Sequence, residues 1–134
     1  NLSKKKGIKI IFKSNHKGTI NADLQAIERI MDNLIDNAIK YSEKGSDITI
    51  STVNDSDGYI KVMIKDQGKG IADEDINHIF SRFYRTASAR ATENQGSGLG
   101  LAIVKHLVNS LNGEVGIESK PQEGSTFWFT VPGV

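Results

Sequence analysis

The stretch Asp23–Ser42, DLQAIERIMDNLIDNAIKYS, predicts a long amphipathic helix that must pack on another layer of structure. Asp23 is a typical helix N-cap residue, and Gly45 lies beyond the expected end of the helix. One face of an α-helix recurs every three to four residues, and the apolar side chains follow this spacing. The residues on that face are Leu24, Ile27, Ile30, Met31, Leu34, Ile35, Ala38 and Ile39.

The segments on either side of this helix predict a sheet. Gly7–Ser14 is rich in β-branched and aromatic residues, which is typical of a strand. Two hairpins are expected, in which Asp47–Val53 pairs with Tyr59–Asp66 and Glu114–Ser119 pairs with Thr126–Val131. Because hairpins dominate the connections, we predict the α/β class, with a mixed, mostly antiparallel sheet and helices on one face.

Two further helices are predicted after the first hairpin. Asp73 is expected to cap a short one. Its apolar face would be formed by Ile76, Ile79, Phe80 and Phe83. Leu99–Leu111 predicts a longer helix that ends in a glycine cap at Asn112 and Gly113. Between these helices Thr86–Gln95 is polar and without period, so we expect a loop there.

The composition limits the classes of protein to consider. A chain of 134 residues with 37% hydrophobic content fits one domain. Lys and Arg number 17 against 16 Asp and Glu, so nothing suggests a nucleic-acid surface. The sequence has no cysteine and no apolar run of the roughly 20 residues that a membrane helix needs. Because it begins with Asn1 and carries no signal peptide, we expect a fragment of a longer protein.

Three polar side chains share a second stripe of the long helix. At about 100° per residue, Asn33, Asn37 and Lys40 lie more than a quarter turn from the centre of the apolar face. Asparagine is an indifferent helix former, so its presence here needs a reason. One reason is a magnesium triphosphate, with an amide oxygen on the metal and the ammonium group on phosphate oxygens. A solvated helix face is the alternative.

A carboxylate is predicted on the apolar face of a strand. Ile60, Val62 and Ile64 alternate with polar or flexible residues, so the same period places Asp66 among them. A buried carboxylate needs a hydrogen-bond donor, which could be a ligand's amino group admitted by the glycines of the following DQGKGI segment. The alternative is an aspartate that closes a turn.

The glycines of GSGLGLAIVK suggest a phosphate site at the start of a helix. Gly96, Gly98 and Gly100 are spaced two apart, which fits neither GxxxxGK[ST] nor GxGxxG. Glycines nevertheless allow backbone N–H groups to approach an anion, and a helix N-terminus offers unpaired donors. A flexible hinge is the alternative. Other chemistry lacks support, because the three histidines are far apart in sequence and no GxSxG motif occurs.

Five segments in order resemble the N, G1, F, G2 and terminal boxes of sensor histidine kinases. These segments are DNLIDNAIKYS at 32–42, DQGKGI at 66–71, IFSRFYR at 79–85, GSGLGLAIVKHLV at 96–108 and GSTFWFTVP at 124–132. The resemblance covers nearly the whole chain, and only Gln67 and Lys69 depart from common forms. It implies the Bergerat fold, a two-layer α/β sandwich that DNA gyrase, MutL and heat-shock chaperones share.

The resemblance also implies roles for single residues. Asp66 would accept a hydrogen bond from the adenine amino group, and Asn37 would hold Mg²⁺. Asn33, Lys40 and Arg85 would act on the phosphates as catalytic groups. Phe80 and Phe83 would anchor an ATP lid at 86–95, and the G2 glycines would shape the phosphate end of the pocket. The remaining expected nucleotide contacts are Tyr41, Gly68, Gly70, Ile71, Gly96, Ser97, Gly98, Leu99, Gly100, Leu101 and Thr126.

The activity that the resemblance implies is that of a protein histidine kinase in two-component signalling. The chain would bind ATP with Mg²⁺ and donate the γ-phosphate to a histidine on a separate dimerisation domain. Asn33 stands where hydrolysing members of the fold carry a glutamate base, so we expect poor ATP hydrolysis. Three alternatives stay open: a gyrase-like or MutL-like ATPase, an anti-sigma type serine kinase, and a nucleotide-dependent docking module.

Partners and location follow from the same resemblance. His16, His78 and His106 are not followed by Glu or Asp, so the phosphoacceptor is expected outside this chain. Residues 1–6 would link to the missing helical dimerisation and phosphoacceptor domain, through which a response regulator is served. We expect the fragment to be a monomer, and its parent a homodimeric bacterial inner-membrane sensor with this domain in the cytoplasm.

Overall fold

A computed structural model describes residues 7–15, 18–20, 22–68, 70–81, 100–119 and 122–133. In chain order the strands and helices are β1 (Lys9–Asn15), α1 (Leu24–Tyr41), β2 (Asp47–Asn54), β3 (Tyr59–Lys65), α2 (Asp73–Ile76), α3 (Gly100–Ser110), β4 (Val115–Ser119) and β5 (Ser125–Pro132). One turn of 3₁₀ helix at Ser56–Gly58 joins β2 to β3.

The strands form one mixed sheet in the order β1-β2-β3-β5-β4. β1 runs parallel to β2, and every other neighbouring pair is antiparallel. The two predicted hairpins are therefore confirmed as β2 with β3 and β4 with β5. Because β3 lies next to β5, the end of β3 meets the start of β5, which positions the site described below.

The core lies between one face of the sheet and the helices. Side chains of β2 and β3, and of β5 as far as Phe129, alternate between buried and half-buried, as a sheet covered on one face requires. Phe127 and Phe129 are the largest fully buried side chains, and they pack with the apolar faces of α1 and α3. The predicted α/β sandwich with helices on one face is confirmed. We call the uncovered side of the sheet its outer face.

The ends of α1 are fixed by two capping residues, of which the sequence predicts Asp23. The Asp23 carboxylate accepts a hydrogen bond from the Ala26 N–H at 3.2 Å. At the other end the Ser42 hydroxyl donates to the Ala38 carbonyl oxygen at 2.7 Å. These bonds satisfy backbone groups that have no partner inside the helix.

The short helix α2 departs from the prediction at its start and its length. Its N-cap is Ala72, which provides no side-chain bond, and Asp73 is already helical. Carboxylates occupy the first turn, where exposed N–H groups favour negative charge. The helix ends at Ile76, so Ile79 and Phe80 reach the core from the turns that follow rather than from one helical face.

A Schellman motif ends α3, and its left-handed residue is Asn112 rather than the predicted Gly113. The Gly113 N–H donates to the Val108 carbonyl oxygen at 3.0 Å, and the Asn112 N–H donates to that of Asn109 at 3.1 Å. Gly113 is needed for a different reason, because a Cβ atom there would lie 1.8 Å from the Thr130 carbonyl oxygen.

We expect Gly113→Ala to lower the free energy of unfolding by about 1–3 kcal/mol, because the new methyl group forces the helix end away from β5. Urea denaturation measures the change. Asn109→Ala, at an exposed position of α3, is the control and should leave stability nearly unchanged. A Gly113→Ala variant as stable as the parent chain would show that the close approach to Thr130 is wrong.

Candidate functional site

A buried carboxyl group lies at the end of the central strand β3. Asp66 comes directly after Lys65, the last residue of β3. Its side chain lies on the core face, as the alternation predicts, and the residue is 2% exposed. Its N–H donates to the Ser125 carbonyl oxygen at 2.8 Å. Its Oδ1 accepts from the N–H groups of Gly68 at 3.0 Å and Ser125 at 3.2 Å. The side chain is thus held by both neighbouring segments of backbone.

The two oxygens of this carboxyl group differ in their surroundings. Both side-chain bonds end on Oδ1, and no residue in the described part of the chain donates to Oδ2. Burial raises the pKa of the Asp66 carboxyl above its ordinary value, and the Gly68 and Ser125 N–H groups offset part of the rise. The group is therefore a strong hydrogen-bond acceptor with one anchored oxygen and one available to a ligand.

Two glycines allow the backbone to close around Asp66. A Cβ atom on Gly68 would lie 2.1 Å from the Tyr41 carbonyl oxygen. Gly124 has a φ of +81°, and its Cβ atom would lie 2.3 Å from the Asp66 carbonyl oxygen. The end of α1, the loop after β3 and the start of β5 therefore meet at one point, which only glycine permits.

The polar stripe of α1 carries two buried amide nitrogens that have no hydrogen-bond partner in the described part of the chain. The Nδ2 atoms of Asn33 and Asn37 are buried, and neither has a hydrogen bond within the described residues. A buried unpaired donor costs about 1–3 kcal/mol, so a ligand that accepts from both amides would recover this energy. The start of α3 borders the same place, since a Cβ atom on Gly100 would lie 4.0 Å from Asn33 Oδ1.

Magnesium triphosphate fits these groups. Phosphate oxygens accept hydrogen bonds from amide Nδ2 atoms, and an amide oxygen is a ligand that Mg²⁺ takes. Among the described residues no three His, Cys, Asp or Glu side chains gather as a metal site. A cation here would therefore be held by amide oxygen together with the phosphates it neutralises, as Mg²⁺ commonly is.

Several expected contact residues lie around these two centres. Lys40 is half-buried in the last turn of α1, and Tyr41 beside it is 38% exposed. The Ile71 N–H donates to the Ser119 hydroxyl at 2.7 Å. Phe80 packs edge-on against Phe127, with ring centroids 6.2 Å apart. Gly70 has a φ of +76°, and Leu101 is partly buried against the core.

Thr126, one of the expected nucleotide contacts, lies on the opposite face of the sheet from Asp66. It pairs with Lys65 in β3 and Glu118 in β4, and all three side chains lie on the outer face of the sheet. The physical reason is the period of two in β5, which puts Ser125 and Phe127 on the core face instead. Ser125, on the core face, is the residue of β5 that contacts the Asp66 carboxyl group.

Three residues of the site were missed in the sequence. Ser125 could have been found by extending the buried alternation of β5 back by one step. The Gln67 Oε1 atom accepts from the Asp47 N–H at 3.0 Å and so ties the loop after β3 to the start of β2. Ser119 gave no signal, because its role depends on the pairing of β4 with β5.

The other expected site residues lie outside the described residues. They are Phe83, Arg85, Gly96, Ser97, Gly98 and Leu99, together with the lid segment 86–95 and the linker 1–6.

Across the described ranges, no helix is both long and apolar enough to span a membrane.

We expect Asp66→Asn to raise the melting temperature of the nucleotide-free chain at pH 7. The folded chain holds the Asp66 proton more tightly than the unfolded chain, so stability falls as pH rises from the ordinary to the raised pKa. The substitution removes the charge and keeps one oxygen for Gly68 and Ser125. Scanning calorimetry should show that the advantage shrinks as pH is lowered towards the ordinary range.

Asp36→Asn, at an exposed position of α1, is the control for the loss of one carboxylate and should leave the melting temperature at pH 7 nearly unchanged. An Asp66→Asn advantage that grows at low pH would contradict the assignment.

Comparison with known proteins identifies the family of this chain. Residues 22–134 match the family model described as histidine kinase-, DNA gyrase B- and HSP90-like ATPase. The sensor histidine kinase WalK of Bacillus subtilis (strain 168) is 39% identical over 114 residues, which are 84% of this chain and 19% of WalK. The chain therefore spans about a fifth of the length of that relative.

Two solved structures share the fold. Full-length ShkA in complex with AMPPNP matches with a TM-score of 0.86 and 28% identity, over 99% of this chain and 27% of ShkA. Histidine kinase ThkA in complex with the response regulator protein TrrA matches with a TM-score of 0.76 and 25% identity, over 98% and 36% of the two chains. Because the family model covers most of the sequence, the chain belongs to the histidine kinase-, DNA gyrase B- and HSP90-like ATPases.

Proposed function

We propose that this chain is the ATP-binding catalytic part of a bacterial sensor histidine kinase. It binds ATP with Mg²⁺ and donates the γ-phosphate to a histidine on a separate dimerisation domain. The observation that carries the proposal is the buried Asp66 carboxyl group, which has one oxygen anchored by backbone N–H groups and the other without a described donor.

This carboxyl group suits adenine. The 6-amino group of adenine donates hydrogen bonds, and an ionised carboxylate only accepts them. Guanine and hypoxanthine carry a carbonyl oxygen at the same position, which would face Oδ2 with lone pairs on both sides. Asp66 therefore favours adenine over guanine and hypoxanthine at the 6-position, where only adenine carries a donor.

The amides of α1 suit the phosphate end. The Asn37 amide oxygen would hold Mg²⁺, while Asn33 and Lys40 would contact phosphate oxygens from the same stripe of the helix. Mg²⁺ held there would supply neutralisation of the charge on the phosphates. Arg85 and the N–H groups of the G2 glycines, outside the described residues, are proposed to complete this set. Ser125 takes the place of Thr126 beside the base.

Transfer to a histidine, rather than to water, follows from Asn33. An amide does not accept a proton, so the chain lacks a general base at the position where hydrolysing members of the fold have glutamate. The acceptor of the γ-phosphate is then an imidazole nitrogen, which forms the new bond to phosphorus as the bond to ADP breaks. Robust ATP turnover by the chain alone would instead favour an ATPase.

The comparisons support the wider setting. WalK is a sensor histidine kinase, ShkA was solved with AMPPNP, and ThkA was solved with a response regulator. By analogy we propose that residues 1–6 lead from a dimerisation and phosphoacceptor domain, that 86–95 form the ATP lid, and that a response regulator receives the phosphate. The parent is proposed to be a homodimeric inner-membrane sensor with this domain in the cytoplasm, and the isolated chain to be a monomer.

We expect Asp66→Asn to weaken Mg-ADP binding by roughly 10- to 100-fold, because a charge-assisted hydrogen bond to the adenine amino group is lost. Isothermal titration calorimetry measures the dissociation constant. Asp36→Asn, an exposed change on α1, should bind as the parent chain does. Unaltered binding by Asp66→Asn would remove Asp66 from the adenine site.

We expect Asn37→Ala to abolish the gain in AMPPNP affinity that Mg²⁺ gives the parent chain, because the amide oxygen that holds the ion is lost. Titrations in Mg²⁺ and in EDTA give the two AMPPNP dissociation constants for each chain. The ratio of the two constants should be at least about tenfold smaller in Asn37→Ala than in the parent chain. Gln25→Ala, an exposed amide on the same helix, is the control. A Mg²⁺ dependence that survives in Asn37→Ala would show that the ion is held elsewhere.

A further inference from the structure

One hydroxyl group links the loop after β3 to the start of β5. Ser119, the last residue of β4, lies directly opposite Ser125 in the sheet. Its Oγ atom is 2.7 Å from the Ile71 nitrogen, 3.0 Å from the Gly124 carbonyl oxygen and 2.8 Å from the Ser125 Oγ atom. Three hydrogen-bonding partners saturate a serine hydroxyl.

The chemistry of the partners fixes the direction of every bond. A hydroxyl group has one proton to donate and two lone pairs to accept with. An amide N–H only donates and a carbonyl oxygen only accepts, so Ser119 accepts from Ile71 and gives its single proton to Gly124. Ser125 must then donate its hydroxyl proton to Ser119, which leaves the Ser125 oxygen with acceptor capacity only.

The Gly124 carbonyl belongs to the same peptide unit as the Ser125 nitrogen. Because a peptide unit is planar, the direction of its carbonyl oxygen sets the direction of its N–H group. Ser119 holds the carbonyl end of this unit, and the N–H end donates to Asp66 Oδ1 at 3.2 Å. The hydroxyl of Ser119 therefore orients the Gly124–Ser125 peptide, and the N–H of that peptide orients the Asp66 carboxyl group.

The bond that Ser119 accepts from the Ile71 N–H holds the loop after β3. Ile71 ends the DQGKGI segment, whose Gly68 N–H is the other donor to Asp66 Oδ1. The Ser119 hydroxyl thus joins the two backbone segments that together anchor Oδ1, while Oδ2 has no donor among the described residues. Its three hydrogen bonds go to Ile71, Gly124 and Ser125 rather than to the carboxyl group itself.

We propose that Ser119 is a positioning residue for base recognition, which orients the Asp66 carboxyl group towards the 6-amino group of adenine. This inference rests on the proposed function of the site. Its consequence is specific, because Ser119 should contribute to the preference for adenine over a base that lacks the amino group, rather than to nucleotide binding in general.

The test compares Ser119→Thr with Ser119→Val, two side chains of the same shape of which only threonine has a hydroxyl. Calorimetric titration with Mg-ATP and Mg-inosine triphosphate gives the ratio of the two dissociation constants. We expect this ratio to be the same in the parent chain and in Ser119→Thr. In Ser119→Val the preference for ATP should be roughly fivefold smaller. Ser110→Ala removes an exposed serine that donates to a carbonyl oxygen on α3, and should keep the preference.

The outcomes separate the two claims. If the parent chain fails to bind Mg-ATP or shows no preference for it, the proposed function is wrong. If the parent chain prefers ATP and Ser119→Val keeps the full preference, the positioning role of Ser119 is wrong. Circular dichroism establishes that each variant is folded, and Ser119→Ala provides the same comparison should the valine variant not fold.

Discussion

The anchoring of one carboxyl group at the end of the central strand constrains the rest of this structure. Asp66 is held in the core face by N–H groups from its own loop and from β5, so these segments must approach within hydrogen-bonding distance. The approach excludes a Cβ atom at Gly68 and at Gly124. The sheet order makes this approach possible, because β3 lies next to β5 and so brings Ser125 to the carboxyl group.

Function and stability oppose each other at this site. Burial raises the pKa of Asp66, and the Nδ2 atoms of Asn33 and Asn37 are buried without described partners. Each of these features destabilises the nucleotide-free chain, and each is what a ligand with an amino group and phosphate oxygens would satisfy. The apolar face of α1 and the buried aromatic residues of β5 supply the stability that offsets this cost.

The sequence predicted the parts of the fold that depend on local pattern. The spacing of three and four residues gave α1 with its Asp23 cap, and alternation gave the strands of both hairpins and the burial of Asp66. The cap of α2 and the left-handed residue that ends α3 were wrong, because several neighbouring residues satisfy the same local preference. Ser119 and the exchange of Thr126 for Ser125 depend on strand register, which brings together residues distant in sequence.

The account makes the orientation of Asp66 the origin of base recognition, and a crystal structure of the chain with Mg-AMPPNP tests this claim most directly. We predict that the adenine amino group lies within hydrogen-bonding distance of Asp66 Oδ2, while Oδ1 keeps its bonds from Gly68 and Ser125. An adenine ring bound away from Asp66, or a carboxyl group turned so that Oδ1 leaves these N–H groups, would contradict the account.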